Sequence, residues 1–215
     1  MQVTDIIFYV LILLFSIVIH EVSHGLMARK LGDKTAEHEG RLTLNPIVHI
    51  DPIGSIFLPL LLVISHSPFL VGWAKPVPYN PYNFYNKPWI TKWGEALVAF
   101  AGPLSNIIII LVFGLFLRFF DLISSVLPFF TFFTPALPLV STIVIVNIVL
   151  AVFNLVPIPP LDGSKILFAF LPQSLYKVRA FLEHYSLILS LFFIFFLWGY
   201  LSPLILVLYH LVVGI

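Results

Sequence analysis

Long apolar runs alternate with short polar ones along the chain, and the alternation predicts most of its elements. The first run extends from about Asp5 to Lys30. At about 1.5 Å of rise per residue, some 20 residues in a helix cross the hydrocarbon of a bilayer, so this run predicts a spanning helix. A polar stretch follows, and within it Arg41–Asn45 alternates polar and apolar positions. That period predicts a short strand, which Asn45-Pro46 ends. A second run, Ile53 to Val71, is broken by Gly54, Pro59, Ser65, His66, Ser67 and Pro68. It is weak as a straight span, and the breaks alone leave it open between a span and a re-entrant hairpin. The Pro-, Asn- and Tyr-rich residues 72–92 predict loop and extended structure at an interface. Further spans are expected over about Trp93–Phe120, Leu137–Phe153 and Tyr185–Leu211, with a loop over 121–136 and a short interfacial helix within 164–184.

Composition agrees with this pattern. Of 215 residues, 60% are hydrophobic and 10% charged, and the mean hydropathy is +1.06. A soluble domain carries about 25% charged residues. The expected fold class is therefore an all-α polytopic membrane protein, with four transmembrane helices, one re-entrant hairpin over 53–71 and short β-strands at the membrane interface. The net charge of +1 argues against a nucleic-acid partner. Without cysteine, a metal site must use His, Asp or Glu. Residues 1–5 lack a basic n-region, so the first run reads as a retained helix rather than a signal peptide.

The lysines and arginines give an orientation. With the end of the first span inside and 53–71 returning to its own side, Arg29, Lys30, Lys34, Arg41, Lys75, Lys87, Lys92, Lys165, Lys177 and Arg179 are all cytoplasmic. Only Arg118 falls outside. This satisfies the positive-inside rule and places both termini outside.

The chemistry begins at His20-Glu21-Val22-Ser23-His24, inside the first apolar run. On a helix, positions i and i+4 share a face, so the two imidazoles can grip one metal ion. Glu21 sits beside that face as a candidate general base. Charged groups at mid-bilayer cost about 2.5–3.5 kcal/mol each on insertion scales, which makes a chance match there improbable. His20 lies about 22 Å along the helix from its start, toward the cytoplasmic end. A catalytic zinc site needs a third protein ligand. Asp162 stands out among the acids, because it follows a proline-broken helix end, precedes Gly163 and lies on the cytoplasmic side.

HEVSH in the first span, FAGPLSN in the third apolar segment and NLVPIPPLDG after the fourth, in that order, resemble the site-2 protease family of intramembrane zinc metalloproteases. GRLTLNP, HIDPIGS and GWAKPVPYNP are similar to its compact bacterial and archaeal branch. The resemblance covers about residues 15–165. It implies one Zn2+ per chain held by His20, His24 and Asp162, with Glu21 as general base and acid. It implies further that Asn106 holds substrate or oxyanion and that Asn154 shapes the Asp162 loop. Ser164 stands where a second glycine is common in the family. The implied activity is endopeptidase cleavage in or near transmembrane segments of membrane proteins, in regulated intramembrane proteolysis. The implied place is a multi-pass protein of the plasma membrane with its site toward the cytoplasm.

The whole chain, 1–215, then reads as one intramembrane metalloprotease domain, with a core over 5–165 and an interfacial helix and last span over 166–215. No PDZ- or CBS-like region fits in this length, so regulation by such domains is either absent or comes from another chain, a membrane partner or a second copy. The alternative is a catalytically silent membrane binding protein or metal carrier of the same fold, and Glu21 separates the two, since transport needs ligands but no base. A zinc hydrolase of lipids or small molecules is disfavoured by the resemblance alone.

Overall fold

The computed structural model of the protein describes residues 3–57, 61, 64 and 74–214. Four stretches are long and apolar enough to cross a membrane: Thr4–Lys30, Pro88–Arg118, Pro128–Asn154 and Ser186–Val213. The chain is thus a multi-pass membrane protein. The first span lies in helix α1 (Val3–Lys30), with Asp5 in its first turn and Arg29 and Lys30 in its last. Those charges oppose the partial charges of the helix ends. Helix α2 (Pro88–Arg118) opens on a proline, which needs no N–H partner in the first turn. The third crossing begins in 3₁₀ turns over Pro128–Ala136 and continues as α3 (Leu137–Asn154). After a turn come α4 (Asp162–Phe170) and α5 (Tyr176–His184), then the last span with a π turn at Phe193–Leu197.

Helix α2 is the centre of the bundle. It packs on α1, α3 and α4, and 44% of its apolar window is buried, against 6% for the last span. Ile110, Val144, Ile148, Ala151 and Val213 form one apolar cluster, and Ala28, Leu31, Ile90 and Val98 another at the end of α1. Lipid tails are as apolar as these side chains, so close packing and polar contacts hold the helices together.

Two expectations change. Among the described residues there is no strand, and Arg41–Asn45 runs in bends. Its polar groups are spent on the neighbouring loop rather than on a ladder. The buried Arg41 donates from Nη2 to the carbonyls of Lys75 (2.9 Å) and Pro76 (3.1 Å) and from Nη1 to that of Val48. His49 is hydrogen-bonded through Nε2 to the Thr43 carbonyl. The loop expected over 121–136 is instead helical, a short helix Phe120–Val126 followed by the 3₁₀ turns. The hairpin expected over 53–71 falls largely outside the described residues, which there show a π turn at Pro52–Phe57.

The segment 74–80 crosses the C-terminal half of α1 under two clamps. Arg41 and the His49 carbonyl hold its start, the latter accepting from the Lys75 N–H at 2.9 Å. Asp33, 1% exposed, holds its end. That carboxylate accepts from the Asn80 N–H (2.7 Å), Asn83 Nδ2 (2.8 Å), Thr35 Oγ1 (2.6 Å) and the Thr35 N–H (3.1 Å). Burial pushes the Asp33 carboxyl up, but these four donors outweigh it and hold it below its ordinary value. A depressed folded value contributes stability above the unfolded pKa of about 3.9 and loses it as pH falls through the folded value. Asp33→Asn should therefore lower the thermal midpoint at pH 7, while the difference from wild type shrinks as the pH falls below about 4. A gap that stays constant from pH 7 to pH 3 would contradict the clamp.

Candidate metal centre

His20 and His24 project from one face of α1, as their spacing predicts, and both are buried. Each ring has one nitrogen fixed by the protein. His20 Nδ1 meets Asn106 Oδ1 at 2.6 Å, and His24 Nδ1 meets the Val98 carbonyl at 2.7 Å. Both partners are acceptors, so each Nδ1 carries the proton and each Nε2 presents a lone pair. Asp162, the first residue of α4, arrives from the other end of the chain. Its Oδ2 lies 3.2 Å from both Nε2 atoms. With both Nε2 lone pairs turned toward it, the carboxylate completes a set of three donors for a cation, and a metal requires the carboxylate ionised.

The three donors fit zinc. A tetrahedral ion with bonds of about 2.0–2.2 Å keeps its donors about 3.3–3.6 Å apart, close to the spacing seen here. Glu21 stands beside them, and one donor atom from each of His20, Glu21 and His24 falls within 4.8 Å of the others. Its Oε2 accepts from the Val77 N–H at 3.0 Å, so the doubly clamped segment 74–80 fixes the carboxylate. Pro76 and Pro78 flank Val77 and have no N–H of their own to compete. His20, Glu21, His24, Asp162, Pro76 and Val77 line a cavity of about 200 Å³ with Tyr79, Asn154, Pro160, Leu161 and Lys165.

Two glycines permit the approach. A Cβ on Gly102 would lie 2.6 Å from His20 Nε2 and 2.5 Å from His24 Cε1. One on Gly163 would overlap the backbone carbonyl of Leu155, where the chain turns back after α3.

Asn106 is fully buried, and both ends of its amide are engaged. Its oxygen faces His20 Nδ1 and its Nδ2 donates to Asn147 Oδ1 at 2.8 Å. Asn147 Nδ2 in turn donates to Ser16 Oγ (3.0 Å) and to the Ile143 carbonyl (2.8 Å). Asn154 lines the cavity, with Nδ2 donating to the Leu150 carbonyl at 3.0 Å. Sequence reasoning missed Asn147, Ser16, Asp33 and the Val98 carbonyl. A lone Asn in an apolar span was a readable signal for the first.

Comparisons with known proteins agree with the donor chemistry. Residues 131–197 match the family described as Peptidase family M50. YwhC of Bacillus subtilis (strain 168), named as a zinc metalloprotease, is 37% identical over 197 residues, covering 92% of this chain and 81% of that protein. Rip2 of Mycolicibacterium smegmatis, also named as a zinc metalloprotease, is 30% identical over 151 residues, 70% of this chain and 52% of that one. The zinc metalloprotease MJ0392 of Methanocaldococcus jannaschii is 28% identical over 192 residues, 89% of this chain and 42% of its own. No solved structure gives a significant match. Over nearly its whole length, then, the chain belongs to the M50 (site-2 protease) family of zinc metalloendopeptidases.

Proposed function

We propose that this protein cuts peptide bonds within or beside transmembrane segments of other membrane proteins, near the cytoplasmic face of the cell membrane, as the proteolytic step of a regulated pathway. One observation carries the reading. Residues 142 positions apart, His20 and Asp162, meet His24 and Glu21 in a cavity lined by a membrane-spanning helix. His20, His24 and Asp162 are the zinc ligands and Glu21 the general base. A zinc ion held there supplies a Lewis acid that acidifies water and polarises a peptide carbonyl.

The rest is done by the chain. The Val77 N–H holds Glu21 Oε2, leaving Oε1 to take a proton from the attacking water. The water oxygen bonds to the carbonyl carbon, the C–N bond breaks, and Glu21 returns the proton to the leaving nitrogen. Asn106 works through His20, fixing the ring's tautomer and direction, and is a positioning residue. A substrate helix hides its carbonyls in its own hydrogen bonds, so it must unwind locally before attack.

The test is the depth of the cut. Reconstituted protein with zinc should cleave single-span substrates in the cytoplasmic half of the span, as mapped by mass spectrometry of the fragments. Cuts confined to the outer half would refute the orientation. Failure to cut any span while cleaving loops would refute the intramembrane reading.

A further inference from the structure

An imidazole that binds a metal through Nε2 carries its proton on Nδ1, and that proton needs an acceptor. For His24 the acceptor is the Val98 backbone carbonyl, which can only accept. For His20 it is the side-chain oxygen of Asn106, at 2.6 Å. An amide differs from a carbonyl in having a donor end beside its acceptor end, and the two ends have nearly the same shape. Asn106 turned over would present Nδ2 to His20 Nδ1, and two donors would face each other. Shape alone does not prevent this, so another group must set which way Asn106 points.

That group is Asn147 on α3. Asn106 Nδ2 donates to Asn147 Oδ1 at 2.8 Å, and Asn147 Nδ2 donates to the Ile143 carbonyl at 2.8 Å and to Ser16 Oγ at 3.0 Å. Ile143 precedes Asn147 by four residues in the same helix, so its carbonyl is fixed in direction. Asn147 turned over would bring two acceptors within 2.8 Å of each other with no proton between them. The Ser16 hydroxyl tolerates either orientation, because it can donate or accept. The polarity therefore starts at the Ile143 carbonyl. Neither amide has any exposed surface, so no solvent is at hand to serve a reversed group. Asn147 itself lies outside the cavity that holds the metal ligands.

We infer that Asn147 is a positioning residue of the metal centre: it passes the polarity of the Ile143 carbonyl to the Asn106 amide, so that an acceptor faces His20 Nδ1 when Nε2 binds zinc. This rests on the zinc-site reading above. The two histidines then differ in a way their spacing does not show. His24 takes its direction from a backbone carbonyl at first hand, and His20 takes it from one through two amides.

The test reads zinc affinity and the two ring protons in the full chain in detergent. Competition with a chelating dye gives the affinity. With cobalt(II) in place of zinc, proton NMR shows a strongly shifted, solvent-exchangeable line for each Nδ1–H of an imidazole bound through Nε2. Wild type should show two such lines. Asn147→Leu keeps the size and removes both polar groups. It should bind zinc about 10–100-fold more weakly, the range for groups that orient a ligand, and broaden one line by faster exchange while the other stays sharp. Asn147→Asp keeps an oxygen toward Asn106 and should stay within threefold of wild type with both lines sharp. Asn106→Asp presents an oxygen to His20 whichever way it turns, so on that background Asn147→Leu should cost less than threefold. Affinity within threefold of wild type in Asn147→Leu overturns the relay. So does an equal loss on both backgrounds, or the broadening of both lines together, as general loosening would give. If Asn147→Leu does not fold, Asn147→Asp decides: zinc within threefold and two sharp lines uphold the relay, and a tenfold loss overturns it. Fewer than two lines in wild type with one cobalt bound refutes the zinc-site reading itself.

Discussion

Glu21→Gln is expected to slow peptide hydrolysis by about 10²–10⁴-fold while zinc stays at one per chain. The separation follows from the geometry. Glutamine keeps the shape of glutamate and an oxygen that can accept from the Val77 N–H, so segment 74–80 stays in place. His20, His24 and Asp162 keep their contacts with one another. What is lost is a group that can take a proton from water and return it to the amine. Metal analysis of the purified variant, beside its cleavage rate on a reconstituted span, reads both halves. Equal cleavage by the variant and wild type would remove Glu21 from the role of base, and zinc binding with no cleavage by either would support a metal carrier.

Gly102→Ala should also damage the site, without replacing any ligand. The added methyl would fall about as close to both imidazoles as bonded second neighbours lie, at 2.5 Å from His24 Cε1 and 2.6 Å from His20 Nε2. Neither ring can yield, because Asn106 and the Val98 carbonyl fix their far nitrogens, and both of those partners sit on α2 with Gly102. The helix must retreat from α1 and carry the partners with it. Zinc affinity should drop by about 10–100-fold, the range for disturbing groups that orient ligands. Overpacking should add about 1–3 kcal/mol of destabilisation. Gly199→Ala is the control, since a Cβ there meets no atom within 4 Å. Equal zinc affinity in the two variants would show that the rings are free to move.

Much of this was legible in the sequence because the bilayer makes exceptions conspicuous. His20, Glu21 and His24 stand out in an apolar run, and hydropathy together with the lysine and arginine distribution located the four spans. Asp162 was legible from its setting beside Gly163 and the prolines. Other parts were hidden for physical reasons. Asp33 and Arg41 look like solvated loop charges, yet both are buried clamps, because the partners that bury them lie 34 to 50 residues away. The Val98 carbonyl carries no side-chain signature at all. Arg41–Asn45 has the period of a strand, but period reports which side chains alternate and says nothing of where the backbone groups go.

The buried chain from His20 through Asn106 and Asn147 to Ser16 has a consequence beyond the metal centre. It links α1, α2 and α3 by side-chain hydrogen bonds buried within the bundle. Apolar helices in lipid can slide past one another at little cost, since one smooth face is much like the next. A slip of one residue turns a helix by about 100° and would strand these amides away from their partners. The relay therefore works as an alignment pin. It sets the rotation and height of three helices together, so the protein has one arrangement in which the bundle is satisfied, and in that arrangement the histidines face the aspartate.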